Sequence, residues 1–149
     1  MTRPNFFAFP SRWLGLVAGS LLGLVFTHAA ADGAKVYQST CAVCHATGVA
    51  GAPKLGDRKA WAPLIEEGQA ILTAHGYVGV RGMPAKGGKP DLSVEDFAAA
   101  VVQIVNASGG KWSEPDAKGL AAIRTEIVKR EKELAGGQGR EVTGGLGRG

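Results

Sequence analysis

The sequence predicts an all-α protein with four to five helices. Apolar residues recur at intervals of three and four in several segments, and no segment shows the sustained alternation of apolar and polar residues that is typical of a strand. Hydrophobic residues make up 45% of the chain and charged residues 20%, so the chain can bury a core. Its 149 residues allow one domain, or one small domain with additional segments, and exclude a large multidomain enzyme.

Residues 1–31 are predicted to be a secretory signal peptide, which would place the mature chain in the periplasm. Arg3 and Arg12 precede an uncharged, largely apolar stretch that begins at Trp13, and alanines at positions 29 and 31 match the small residues found before a cleavage site. The alternative is an uncleaved membrane anchor, because the uncharged stretch of 19 residues is close to the roughly 20 that a spanning helix needs.

The mature chain divides into a predicted core, residues 32–110, and a C-terminal extension, residues 111–149. The core carries seven basic and seven acidic side chains, and the extension carries eight and six. No dense run of Lys and Arg with interleaved aromatic residues occurs, so nucleic acid is not an expected partner. From Gly136 onward seven of fourteen residues are glycine, which predicts a flexible tail.

The first and last core helices are predicted to pack against each other. Gly33, Tyr37 and Cys41 repeat at four-residue intervals, so small and aromatic side chains share a helix face that suits a close crossing. Ser93 and Asp96 form a capping-box pattern at the start of the last core helix, which should end between residues 106 and 110. The apolar face of that helix comprises Phe97, Val101, Ile104 and Val105.

Three further helices are predicted. Residues 58–67 and 69–75 form two short helices in the core, and a fifth helix begins after the segment 113–116. The apolar residues at helical spacing in the fifth helix are Leu120, Ile123, Ile127, Val128 and Leu134. We expect this helix to pack its apolar stripe on the core or to project into solvent; docking on a larger respiratory complex or an anionic membrane surface is the alternative.

Both cysteines of the chain lie in one segment, Cys41-Ala-Val-Cys44-His45. A disulfide across this spacing would close a very short loop and would constrain the unfolded chain little. A zinc site needs two further ligands, and a thioredoxin-like redox pair needs a βαβ setting, neither of which the surrounding sequence offers. The segment instead matches the pattern for covalent attachment of one haem c, in which two thiols form thioethers and His45 binds the iron. Such a haem would also stabilise the predicted core, which is small enough to need a disulfide, a metal or another added constraint in order to fold.

Met83 is the predicted second axial ligand of the iron. It is the only methionine after the signal segment, lies 38 residues beyond His45, and sits in a Gly-Met-Pro loop rather than among apolar residues at helical spacing. A thioether ligand favours the reduced iron and raises the reduction potential. The rival ligand is His75, which we expect instead to be a surface histidine near the carbonyl groups of a helix end.

These segments, in this order, resemble those of class I monohaem cytochromes c, in particular the short bacterial type called cytochrome c-five. The resemblance rests on the haem motif followed by Ala-Thr-Gly-Val-Ala, on Gly-Ala-Pro-Lys-Leu-Gly-Asp at 51–57, on Trp61, and on Met-Pro-Ala-Lys-Gly-Gly at 83–88 leading into Pro-Asp-Leu-Ser. It covers residues 33–106. It implies the class I cytochrome c fold, with four to five helices packed around one covalently attached haem.

The resemblance adds two residues to the predicted site. It implies that the backbone carbonyl of Pro53 accepts a hydrogen bond from the His45 ring, which would orient the ring and tune its basicity. Trp61 would either donate its indole N–H to a haem propionate or be buried in the core. The predicted cofactor-binding residues are thus Cys41, Cys44, His45, Met83, Pro53 and Trp61, with His45 and Met83 on the iron.

With both axial positions filled by protein, the iron has no vacancy for a substrate. The expected function is therefore a one-electron carrier, soluble or peripherally attached, that shuttles electrons between respiratory or other periplasmic redox partners, and not an enzyme. A tethered electron-transfer subunit of an oxidase or dehydrogenase complex is the main alternative. A haem peroxidase with a labile sixth ligand is a further alternative, which would require the sixth site to open.

Basic residues are concentrated between the haem motif and the last core helix. Six of the seven basic core residues lie there, whereas residues 46–90 contain only three acidic residues. If these loops rim the haem, an acidic docking patch on the redox partner is expected. The six residues are Lys54, Arg58, Lys59, Arg81, Lys86 and Lys89. Membrane contact is expected only through an uncleaved N-terminal segment or through the C-terminal helix.

Overall fold

The computed structural model describes residues 32–144, so the predicted signal segment lies outside the described residues. Within that range the chain is helical and contains no β-strand, which confirms the predicted all-α fold. The α-helices are α1 (Gly33–Val36), α2 (Ala42–His45), α3 (Arg58–Glu66), α4 (Gln69–Val78), α5 (Val94–Ala107) and α6 (Ala117–Gly144). None of the helices in this range is both long enough and apolar enough to cross a bilayer.

One continuous helical segment carries the haem motif. The Asp32 side chain caps its start by accepting a hydrogen bond from the backbone N–H of Lys35 at 3.1 Å. Between α1 and α2 the segment contains a π-helical turn, Tyr37–Cys41, where the four-residue spacing predicted a regular α-helix. A π-turn inserts one extra residue into the turn and is frequent at functional sites. The turn ends at Cys41 and therefore affects where the first thiol lies.

The predicted crossing of the first and last core helices is present. The Ser93 hydroxyl accepts a hydrogen bond from the Asp96 backbone N–H at 3.0 Å, which caps the start of α5. At the crossing, α1 lies so close to α5 that a Cβ built on Gly33 would be 2.3 Å from the carbonyl oxygen of Ala99. The buried residues that join the two helices are Tyr37, Cys41, Ala100, Ile104 and Val105. Glycine is therefore required at position 33 by space and not by backbone conformation.

We expect Gly33→Ala to lower the free energy of unfolding by about 1–3 kcal/mol, the usual range for overpacking a tight contact. The reason is that the backbone carbonyl of Ala99 cannot move aside as a flexible side chain would. Chemical unfolding followed by circular dichroism measures the change. Gly136→Ala is the matched control, because it is the same substitution in a helix with no heavy atom within 4 Å of the new Cβ. That control should be neutral or stabilising by up to about 1 kcal/mol, and equal effects at both positions would contradict the steric argument.

The two short helices between the crossing partners are also present. The Asp57 side chain caps α3 by accepting a hydrogen bond from the Ala60 backbone N–H at 3.0 Å. Gly68, with φ of +87°, separates α3 from α4, and Gly79, with φ of +102°, ends α4. Both torsion angles lie in a region that L side chains rarely adopt, so glycine sets both ends of α4. The prediction of α4 ended at residue 75, three residues before the observed end.

The C-terminal helix α6 packs on α4, as the apolar stripe predicted. Ile123 and Ile127 are buried against Ala74 and Ala98, and Leu120 is partly buried beside them. The ion pair between Arg124 and Glu95 adds a contact from α6 to α5. The remaining members of the stripe, Val128 and Leu134, are exposed. The first part of the predicted C-terminal extension therefore packs against the predicted core.

The end of α6 overlaps the glycine-rich segment that begins at Gly136, and the flexibility of that segment stays a prediction. Helix α6 continues to Gly144, and only residues 145–149 of the glycine-rich segment lie outside the described residues. Extending an existing helix adds one hydrogen bond for each residue fixed, whereas starting a helix fixes several residues for the first bond. The packed part of α6 supplies the nucleus that an isolated glycine-rich segment would lack.

Candidate haem-binding site

A cavity of about 530 Å³, which we call the haem cavity, opens beside α2 and is lined from α3, α4, α5, α6 and the loop after α4. All six predicted site residues line it: Cys41, Cys44, His45, Pro53, Trp61 and Met83. Its volume lies within the roughly 300–1,000 Å³ typical of sites for small molecules and cofactors. The structure thus brings together residues that are up to 42 positions apart in the sequence.

The two thiols lie three positions apart in the haem motif and are not joined by a disulfide. Cys41 ends the π-helical turn and is buried, whereas Cys44 lies in α2 and is half-buried. Burial raises the pKa of the Cys41 thiol to about 11, since a thiolate is poorly solvated there. The side chain is therefore neutral at pH 7, which suits a residue that lines a largely apolar wall.

His45 is buried and its ring orientation is fixed by the backbone. Its Nδ1 lies 2.8 Å from the carbonyl oxygen of Pro53, the contact implied by the family resemblance. Because a carbonyl oxygen can only accept, Nδ1 carries the proton and the lone pair of Nε2 is available to a metal. The residues between them form a closed loop, because the Leu55 backbone N–H donates to the His45 carbonyl at 2.8 Å. The imidazole is thus oriented with Nδ1 toward the Pro53 carbonyl, so Nε2 is the ring nitrogen that could bind a metal.

Trp61 is buried beside His45 and is hydrogen-bonded to the backbone. Its indole Nε1 donates to the backbone carbonyl of Lys54 at 2.8 Å, and the side chain is buried. The ring is tilted by 39° against the His45 ring, with the centroids 5.8 Å apart. The single indole N–H is therefore bonded to a backbone carbonyl in this structure. Trp61 contributes to the site by packing beside the imidazole.

A tight turn positions Met83. The backbone N–H of Met83 donates to the Val80 carbonyl at 2.9 Å, and the N–H of Val80 donates to the Met83 carbonyl at 3.1 Å. Arg81 within this turn has φ of +53°, an uncommon angle for a residue with a side chain. A Cβ built on Gly76 of α4 would be 3.6 Å from the Met83 methyl carbon, so the thioether lies against this helix. The turn holds a half-buried sulfur at the cavity wall.

The His75 ring pairs with a side chain, whereas the sequence predicted contacts with helix-end carbonyl groups. It lines the haem cavity from α4, and its Nδ1 lies 2.8 Å from Oε2 of Glu67, which lines the same cavity. About a third of each side chain is exposed. The expected contacts with helix-end carbonyls are replaced by this side-chain pair, because Glu67 follows the end of α3 and faces α4. The pair places an imidazole and a carboxylate on the wall of the haem cavity.

Arg130 is a cavity residue that sequence reasoning missed. It lies on α6 and lines the haem cavity, although it belongs to the C-terminal extension. The available signal was its spacing, since it follows the buried Ile127 by three positions and Ile123 by seven. These intervals place it on the packed face of α6. An arginine at such a position packs its methylene groups against the core, even when its guanidinium reaches solvent.

The donor set of the haem cavity fits a c-type haem. It consists of two thiols three positions apart, an imidazole oriented through its other ring nitrogen, and one thioether on a separate loop. A protein-family model described as "cytochrome C oxidase, cbb3-type, subunit III" matches residues 28–102, half of the chain. Cytochrome c-555 of Chlorobaculum thiosulfatiphilum is 47% identical over 83 residues, which are 53% of this chain and 96% of that protein. The chain belongs to the class I monohaem cytochromes c.

Two further proteins are similar to this cytochrome. Cytochrome c5 of Azotobacter vinelandii is 35% identical over 74 residues, which are 48% of this chain and 89% of that protein. A chain in the crystal structure of an electron transfer complex of nitrite reductase with cytochrome c is 45% identical, with 51% of this chain and 93% of that chain covered and a TM-score of 0.49. The curated relatives confirm the predicted family. They support a covalently attached haem c as the cofactor and electron carriage as the function of this cytochrome.

Proposed function

We propose that this cytochrome carries single electrons on a haem whose iron is ligated by His45 and Met83, with no substrate bound at the iron. The observation that carries this proposal is that both side chains line the cavity that also contains the two thiols. When bound, the haem supplies a one-electron couple between ferric and ferrous iron. Cys41 and Cys44 would hold the haem through thioether bonds, and the Pro53 carbonyl keeps the His45 ring oriented.

A filled sixth position distinguishes a carrier from an enzyme, and this difference can be measured. We expect the purified holoprotein to bind carbon monoxide in the reduced state and cyanide in the oxidised state only slowly, because Met83 must leave the iron first. Stopped-flow absorption spectroscopy measures both rates. The control is the same protein in denaturant, where Met83 is released from the iron and binding should be rapid. Rapid binding to the folded protein would instead favour a peroxidase-type site.

The surface beside the haem motif supports brief contact with redox partners. Val43 is 74% exposed and Val49 is 54% exposed, although both flank the buried His45. Isolated apolar side chains of this kind suit a small interface that separates quickly. Arg81 is exposed and lines the haem cavity, and Lys54 is exposed in the loop between α2 and α3. We therefore also propose that the redox partner carries an acidic patch that docks against these basic side chains.

The charge at this surface can be tested with a small anionic oxidant, hexacyanoferrate(III). We expect Arg81→Glu to slow oxidation of the reduced protein several-fold at low salt, with the difference shrinking as the Debye length falls below about 10 Å above 0.1 M salt. Lys118→Glu is the matched control, since Lys118 is exposed on α6 and does not line the cavity. A rate that does not depend on ionic strength would contradict electrostatic steering.

We also propose export to the periplasm with cleavage before Asp32. The N-terminal sequence pattern supports this location, and the mass of the protein purified from a periplasmic extract tests it. The description of the matching family model favours one alternative, a fixed subunit of an oxidase. Co-purification with a membrane complex that persists in high salt would support the fixed subunit, whereas release of the cytochrome alone would support the free carrier.

A further inference from the structure

The guanidinium of Arg130 carries a buried nitrogen without a partner. The Nε atom is inaccessible to solvent and makes no hydrogen bond to any described residue. At the other end of the group, one terminal nitrogen lies 3.6 Å from Oε2 of Glu133. Leaving a buried donor of a charged group unpaired is strongly unfavourable, so such atoms usually have an acceptor in the functional state. The acceptor should come from whatever fills the neighbouring cavity.

The position of Arg130 restricts what that acceptor can be. The side chain lines the haem cavity and is 28% exposed, so part of the guanidinium is shielded from water. An arginine presents several N–H groups in a planar fork, which matches the two oxygens of a carboxylate. A haem carries two propionate carboxylates. The cavity also contains one protein carboxylate, that of Glu67, and it already accepts from His75.

We propose that Arg130 is a haem-binding residue that pairs with a propionate of the haem, so that α6 completes the cofactor site. This inference rests on a haem in the cavity but not on Met83 as its ligand. Helix α6 begins after residue 102, where the match to the family model ends, so the family assignment does not supply this residue. A cation fixed at the cavity wall stabilises the reduced haem relative to the oxidised haem, which carries one more positive charge.

The midpoint potential of the purified holoprotein tests the proposal. We expect Arg130→Gln to shift the reduction equilibrium about tenfold toward the oxidised form, which is a fall of about 59 mV for one electron. Lys129→Gln is the matched control, because it removes the same charge from the adjacent position, where the side chain is 62% exposed and pairs with Glu126. The control should change the equilibrium by much less. Equal shifts in the two variants would overturn the proposal.

A second measurement reports the propionate directly. The resonance Raman propionate bending band should move in Arg130→Gln and in Arg130→Lys, while Arg130→Lys should retain most of the potential because it keeps the charge. If the band does not move in either variant, the proposal fails even if the potential changes. The charge-transfer band expected for sulfur ligation should persist in all these variants, so a failure here is distinguishable from a failure of the Met83 assignment.

Glu67 is the competing acceptor, and a double variant separates it from the haem. In a Glu67→Gln background the shift caused by Arg130→Gln should persist if the partner is a propionate. If the shift vanishes in that background, Arg130 pairs with Glu67 and the proposal is wrong.

Discussion

The double variant Cys41→Ser, Cys44→Ser is expected to accumulate without haem and to show no cooperative unfolding transition. The haem cavity has a volume of about 530 Å³. At roughly 24 cal/mol for each Å³, an empty cavity of this size would destabilise the fold by up to the order of 10 kcal/mol. That figure is comparable with the whole stability of a small domain, roughly 5–15 kcal/mol. Without the thioethers, the haem is not retained and the cavity has no permanent occupant.

Haem staining after denaturing electrophoresis and thermal unfolding followed by circular dichroism measure the two effects. Ala46→Ser is the matched control, because it adds a hydroxyl group at the exposed position next to the motif and removes no thiol. It should retain both the haem and a cooperative transition. A double variant that unfolds cooperatively near the temperature of the wild type would show that the chain folds without the cofactor.

Local sequence signals were sufficient for most of the fold. Ser93 and Asp57 cap α5 and α3 with their own side chains, and such contacts span only three residues. The close approach at Gly33 followed from a small residue at a four-residue interval from Tyr37. The haem-motif residues were predictable for a similar reason, because the chemistry of attachment fixes their spacing along the chain.

The features that sequence reasoning missed depend on how the elements pack, and local sequence patterns do not specify that packing. The π-helical turn before Cys41 has no local sequence code, since the same residues also suit an α-helix. The His75 side chain on α4 pairs with Glu67, which follows α3. The Trp61 indole N–H donates to the Lys54 carbonyl in the loop before α3. Arg130 reaches the cavity only because α6 packs on α4. In each case a side chain had several possible partners, and packing selected one.

Met83→Leu is expected to abolish sulfur ligation while leaving the fold intact. Leucine is close to methionine in volume and polarity, so the substitution removes a ligand without opening a large cavity. The two backbone hydrogen bonds of the turn between Val80 and Met83 do not involve the side chain and should persist. The oxidised protein should lose the weak sulfur-to-iron charge-transfer band, and the reduced protein should bind carbon monoxide rapidly.

The midpoint potential of Met83→Leu should fall by more than about 59 mV, which is one tenfold step in the reduction equilibrium, because the thioether that favours ferrous iron is lost. His75→Asn is the matched control, since His75 carries the other imidazole that lines the cavity. This control should keep the charge-transfer band and its slow reaction with carbon monoxide. If Met83→Leu instead leaves the visible spectrum and the slow reaction with carbon monoxide unchanged, and His75→Asn makes that reaction rapid, then a histidine and not the thioether occupies the sixth position, and the high potential expected of a His/Met carrier must be abandoned.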